Sequence, residues 1–173
     1  SGYYAAVDQG FYKDEGLDVT IKEGGADIVP QDALTAGQAD YAISWVPKVL
    51  GSIAQGAHIT NVAQIFERSA TTQISFKDKN ITSVEDFKGH TVGSWGYGNE
   101  WEIFAGLQKA GLTVADITLV TQAFDMLGML QGDIDAAQAM TYNEYAQVLE
   151  SINPDTGKLY QPDEINVIDY NKV

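Results

Sequence analysis

The 173 residues contain no cysteine. That excludes disulfides, thiolate nucleophiles, iron–sulfur clusters and cysteine-ligated zinc together. Arginine is almost missing: Arg68 stands alone, and with nine lysines it faces 24 acids, for a net charge of −14. A chain of this sign repels phosphate backbones and anionic head groups, which argues against nucleic acid as a partner. No stretch approaches the ~20 apolar residues of a membrane span. Catalytic groupings are lacking as well. His58 and His90 are solitary, with no acid or serine spaced as a partner and no paired metal ligands, so neither a nucleophilic triad nor a metal site is expected. Both read as surface or capping histidines, and Arg68 is expected to pair with a local acid such as Glu67.

What is present is an ordinary core-forming share of hydrophobic residues, 45%, with acids scattered in the manner of a charged surface. Periodicity predicts helices over 3–15, 29–37, 47–55, 99–110, 125–131 and 142–152. Strands are predicted over 17–22, 39–45, 61–66, 72–76, 91–95, 117–121, 134–140 and 165–169. The alternation argues for an α/β architecture with largely parallel sheets. The ends read as cut, because SGYYAAVDQGFYKDEG opens inside a helical pattern and INVIDYNKV stops on a strand. The sequence is therefore expected to be a piece of a longer protein.

The chain also repeats itself. DVTIKEGGAD (18–27) aligns with DITLVTQAFD (116–125), and Gly37, Asp40 and Ala42 correspond to Gly132, Asp135 and Ala137. Two related α-β-α-β units imply two lobes of similar construction. Open α/β sheets bind ligands outside the carboxyl ends of their strands. The segments expected to line a cleft are 23–30, 44–47, 93–100, 121–126 and 140–145.

Within 93–102, GSWGYGNEWE sets aromatics on a glycine-rich turn at the mouth of a helix. Its G-x-x-G-x-G order is not that of a dinucleotide-binding turn, and no acid ends a strand ~20 residues on, so no nucleotide cofactor is expected. Asn99 and Glu102 form a capping-box pattern. Trp95 reads either as a buried strand-end residue or as a platform for a flat ligand. Glu100, on the inward stripe with Ile103, Phe104 and Leu107, reads either as an acid on the helix dipole or as a carboxylate offered to a donor. Tyr142 opens the last helix at a strand end, and Glu144 beside it has the same two readings. In the first half, Trp45 mirrors Trp95 at a strand tip, and Gly24 and Gly25 would admit a ligand close to the backbone. Asp27 and Asp125 read as helix N-caps.

GYYAAVDQGFYKDEGLDVTIKEGG, GQADYAIS, ITSVEDFKGHTVGSWG and FDMLGMLQGDIDAAQAMTYNE resemble, in order and over essentially the whole chain, the NMT1/THI5-like substrate-binding proteins of ABC transporters. The resemblance implies a type II periplasmic-binding-protein fold of two α/β lobes, truncated at both ends, with residues 1–88 in lobe one and 89–173 in lobe two. It implies capture of a small planar heterocycle, a thiamine-type aminopyrimidine precursor, and delivery to an ABC permease in the membrane. It further implies a monomeric, extracytoplasmic protein whose signal segment lies outside this sequence, with no cofactor. Carried over by the resemblance, Trp45, Trp95, Tyr97 and Tyr142 are ring platforms, and Glu100 and Glu144 bind ring amines. Eukaryotic relatives are pyrimidine synthases that rely on a cysteine-rich segment and a histidine consumed in the reaction. This chain has no cysteine and no histidine in a matching motif. The synthase is the alternative, as is a binder of a sulfonate or flavin.

Overall fold

The computed structural model describes residues 2–25 and 28–173. The chain forms two compact units, Ser1–Thr60 and Asn61–Val173. In the first, the predicted helix over 3–15 is broken into α1 (Gly2–Asp8) and α2 (Phe11–Asp14) by Gly10, whose φ of 79° ends one helix before the next begins. α3 (Pro30–Thr35) and α4 (Val46–Ala54) each carry a proline in the first turn, where no N–H is missed. The strands predicted over 17–22 and 39–45 do not form, and neither does the one over 61–66. A strand exists only where its N–H and C=O groups meet a neighbour's, and among the described residues none of these segments pairs. Leu17, Ile43, Val46 and Leu50 accordingly stay exposed, and Gln31 is the one buried residue among those described in the unit.

The second unit is built on a five-stranded sheet of order β3-β2-β4-β1-β5. Its strands are β1 (Thr71–Phe76), β2 (Thr91–Ser94), β3 (Thr118–Thr121), β4 (Ala136–Met140) and β5 (Ile165–Asp169). β2 runs parallel to β3 and β4, but β1 is antiparallel to both β4 and β5, so the sheet is mixed rather than largely parallel. The connection after β1 explains the departure. It holds only the 3-10 turns Lys77–Lys79 and Val84–Phe87, with no helix to carry the chain back across a face, so β2 starts at the edge where β1 ends.

Alternate strand residues feed opposite faces. Ile74, Ala137 and Ala139 pack with Met126, Met129 and Val148 from α6 (Leu127–Leu130), α7 (Glu144–Leu149) and the turn before α6. Val92, Ala136 and Ile168 pack with Phe87 and with Ile103 and Leu107 of α5 (Trp101–Lys109). Gly106 lets α5 lie close on the 3-10 turn, since a Cβ there would fall 3.2 Å from Val84. β4 is buried along its whole length.

The strands of the first copy of the repeat do not form, and what the two copies share is a helix ending that also occurs at Gly16, Gly56 and Gly111. Gly37 and Gly132 both take a left-handed conformation after a helix, and the residue following each donates to the carbonyl five positions back, Gln38 to Ala33 and Asp133 to Gly128. This is the same C-terminal motif in both units.

At the amino edge of β2 and β4, Asp135 accepts from Lys79 Nζ at 2.8 Å and from the Thr91 N–H at 3.0 Å, with His90 Nδ1 at 3.2 Å. Burial pushes its carboxyl pKa up, but these donors together outweigh burial and hold it below the usual value. A depressed carboxyl pKa adds stability that is present above the unfolded value, near 4, and is lost as pH falls through the folded one. Asp135→Asn is expected to cost about 1 kcal/mol at neutral pH. The difference in urea midpoint between wild type and variant should close as pH drops below about 4.

Candidate functional site

The parallel strands β2, β3 and β4 end on one edge of the sheet, β1 begins there, and β5 ends there. The chain that leaves this edge carries most of the residues singled out in the sequence. After β2, Trp95 is buried, with 6% of its surface exposed, and its ring stacks on Phe124 at 6.3 Å. Its Nε1–H is buried without a hydrogen-bond partner, alone among side-chain polar atoms of the described residues. A buried donor left unpaired costs about 1–3 kcal/mol, so the indole is poised to gain from an acceptor.

Gly96, Tyr97 and Gly98 follow with φ of 70°, 53° and 87°, three left-handed residues in a row. Glycine adopts this freely, whereas for tyrosine it is strained. The conformation leaves Tyr97 76% exposed. Glu100 closes the turn, its Oε2 accepting from Gly98 N–H at 2.9 Å. Its Oε1 has no donor among the described residues and lies near Gly96.

The expected capping box does not form. Asn99 donates its amide to Gly96 O at 2.8 Å, and Glu102 accepts from Ser69 Oγ at 2.9 Å. Asn99 is drawn into a local bond within the turn and Glu102 into a tertiary one, and the residue at the helix start is Glu100.

After β4, Tyr142 is exposed and lies parallel to Phe66 at 6.2 Å. Partial burial, then the charge of Glu144, raises its phenol pKa, so it is a neutral O–H donor at pH 7. Glu144 itself is buried, its Oε2 accepting from Met140 N–H at 2.9 Å and its Oε1 from Asn143 Nδ2 at 3.0 Å. Its carboxylate thus ties the start of α7 to the end of β4. After β3, Asp125 accepts from Leu127 N–H at 3.1 Å, but Met126 stands at the N-cap of α6, so Asp125 is one residue short of the capping position read from the sequence. A cavity of about 360 Å³ opens beside it, lined by Gln122, Met126, Met129 and Ile134 among others.

Three buried glutamines were not foreseen. Gln73, Gln122 and Gln138 are buried and hydrogen-bonded to backbone around the edge. Arg68 is exposed and makes no ion pair among the described residues, so the expected bond to Glu67 is absent. No grouping of three or more acids or histidines suited to a metal occurs among the described residues.

In the first unit, Trp45 is half-buried at the start of α4, and Gly24 and Gly25 are exposed on an unpaired segment where a Cβ would meet no backbone. Asp27 lies outside the described residues.

Residues 1–173 match, without a gap at either end, the family described as NMT1/THI5 like. The chain belongs to that family. Among its NMT1/THI5-like relatives, a protein named for thiamine biosynthesis from Haemophilus influenzae is 25% identical over 97% of this chain and 54% of its own length. A formylaminopyrimidine-binding protein of Halalkalibacterium halodurans is 23% identical over 98% of this chain and 52% of its own. A 4-amino-5-hydroxymethyl-2-methylpyrimidine phosphate synthase of Aspergillus parasiticus is 25% identical over 85% and 44%. The chain therefore spans about half the length of the curated relatives it matches. Among solved structures, the periplasmic aliphatic sulphonate binding protein SsuA of Escherichia coli superposes over 94% of this chain and 51% of its own, with a TM-score of 0.64 and 17% identity. The fold is that of the type II periplasmic solute-binding proteins. No helix among the described residues is long and apolar enough to cross a membrane.

Proposed function

We propose that this chain is part of an extracytoplasmic solute-binding protein of an ABC importer, and that its solute is a thiamine-type aminopyrimidine. The observation that carries the reading is the turn at 95–100. It sets an aromatic N–H with no partner, a phenol ring held out by strained backbone, and a carboxylate oxygen with no donor within one short segment. A planar heteroaromatic with an exocyclic amine answers all three. A ring nitrogen accepts from Trp95 once the buried N–H is uncovered, the ring face lies on Tyr97 or Tyr142, and the amine donates to Glu100. Each aromatic contact contributes on the order of 1 kcal/mol beyond burial. A hydrogen bond to the carboxylate contributes about 1.5–3 kcal/mol and rejects analogues lacking the amine.

Trp45, Gly24 and Gly25, in lobe one (1–88), are proposed as further ligand-binding residues. Closure of the two lobes then follows from the ligand's preference for the closed state. Glu144 acts there through its charge beside Tyr142, its oxygens being engaged within the chain. The protein is proposed to act as a monomer that hands its ligand to a membrane permease.

Calorimetric titration of the complete protein with 4-amino-5-hydroxymethyl-2-methylpyrimidine or its formylamino analogue tests the reading. One-to-one binding is expected, and Glu100→Ala is expected to weaken it about tenfold or more. Binding of an alkanesulfonate or a flavin, with no heat from any aminopyrimidine, would refute the ligand. The synthase relatives supply a second reading, in which the complete protein makes the pyrimidine phosphate. Formation of that product by the complete protein would establish it in place of transport.

A further inference from the structure

We propose that Gln138 is the positioning residue of the 94–100 turn, a single buried carboxamide that grips both ends of the segment carrying Trp95, Tyr97 and Glu100. Gln138 sits in β4 with no exposed surface, between Ala137 and Ala139. At the near end of the turn, its Oε1 accepts from Ser94 Oγ at 3.0 Å and from Trp95 N–H at 3.2 Å. At the far end, its Nε2 donates to Asn99 O at 2.7 Å.

The backbone of Gln138 is pinned in turn. The Gln122 side chain accepts from Gln138 N–H at 2.7 Å and donates to Gln138 O at 2.8 Å, as the peptide of a neighbouring strand would. Such a substitute is required because β2 pairs with β4 only at Val92 and Ala136. The reach from beyond β3 to β4 passes Gly93 of β2, where a Cβ would fall 2.5 Å from Gln122 Oε1. Between the two gripped ends lie the three left-handed residues, a conformation that a free loop would relax. The clamp therefore holds the strained turn in one shape before any ligand arrives, which is the preorganisation an exacting site needs.

The inference depends on the proposed ligand only for its affinity readout, so the experiment has an arm without ligand. In the complete protein, Gln138→Met keeps the volume and removes the amide. Hydrogen exchange is expected to speed up at least tenfold at Trp95, and also at Gly98 and Asn99, whose N–H groups bond to Glu100 and Gly96 and not to Gln138. The amides of Ser75 and Asn166, which face each other across the β1–β5 pairing, should keep their protection. Gln138→Glu adds a readout that simple loss of packing would not move. A protonated carboxylic acid presents a carbonyl and an O–H where the amide has a carbonyl and an N–H, whereas a carboxylate offers Asn99 O no donor. Burial raises a carboxyl pKa, so protection factors in the turn should recover towards wild type as pH falls from about 8 to about 5, with no such trend in wild type. With 4-amino-5-hydroxymethyl-2-methylpyrimidine as probe, Gln138→Met should lose at least tenfold in affinity. Unchanged protection at Gly98 and Asn99 in Gln138→Met, or a Gln138→Glu variant indifferent to pH, overturns the proposal. Exchange results as expected with no pyrimidine binding by wild type would reject the ligand and uphold the clamp.

Discussion

Phe87→Ala is expected to cost about 3–5 kcal/mol, the largest stability loss of any single truncation in the second unit. The ring has no exposed surface and lies among Ile81, Val84, Val92, Ile103, Leu107, Ala136 and Ile168. It comes from a 3-10 turn, which Asp86 anchors by accepting from the N–H and Oγ of both Thr82 and Ser83. Those fixed ends prevent the turn from collapsing into the space the ring vacates, so the cavity term adds fully to the transfer term. A domain has only about 5–15 kcal/mol to lose, and the loss would bring this unit close to unfolding at room temperature. In urea, the midpoint for the 61–173 transition should fall steeply with an unchanged slope. Phe87 precedes β2, at the edge of the sheet opposite Trp95, so the folded fraction should bind ligand as wild type does. A loss below about 1 kcal/mol would mean that the core on this face repacks around the gap.

From residue 71 onward the second unit was legible because its strands are short β-branched or small-residue runs between turn signals, and each finds a partner, whereas the strand read over 61–66 finds none. The 165–169 strand matches its prediction end to end, and 72–76 and 117–121 match within a residue. The first unit was read with the same rules and its strands are absent, since periodicity reports a segment's preference and not its neighbour. At the candidate site the aromatics and acids stood out on the strand ends, where the fold indeed brings Trp95, Tyr97, Glu100, Tyr142 and Glu144 to one edge. What those residues do locally was not legible. Asn99 and Glu102 carry a capping pattern, but Gly96 O and Ser69 claim them first, at contacts 3 and 33 positions away in the chain. The buried glutamines were invisible because a polar residue on a strand reads as solvent-facing. The one available signal was the small residues around Gln138, in AAQAM, which no exposed strand face requires.

Tyr97→Gly should move stability and affinity in opposite directions. A left-handed conformation costs a residue with a Cβ about 1–2 kcal/mol, and φ at Tyr97 is 53°. Glycine removes that cost but gives back about 0.5–1 kcal/mol through the greater freedom of the unfolded chain. The residue is 76% exposed and contributes little burial to offset the strain. The balance favours the variant by roughly 0.5 kcal/mol, seen as a small rise in melting temperature of the complete protein. Affinity for an aminopyrimidine should fall about tenfold in the same variant, because a stacking surface is lost and a fixed turn becomes a mobile one. Tyr97→Ala separates the two effects: it keeps the strain and loses the ring, so stability should stay near wild type while affinity falls. Tyr97→Phe keeps both ring and strain and should match wild type in each. If Tyr97→Gly were instead less stable than Tyr97→Ala, the left-handed turn would carry no strain at this position. Tighter binding by the glycine variant would mean that the ring obstructs the site rather than forming it. On the proposed function, a strained, exposed aromatic that one glycine could relieve, on a turn already flanked by two, would be accounted for by the ligand ring it stacks on.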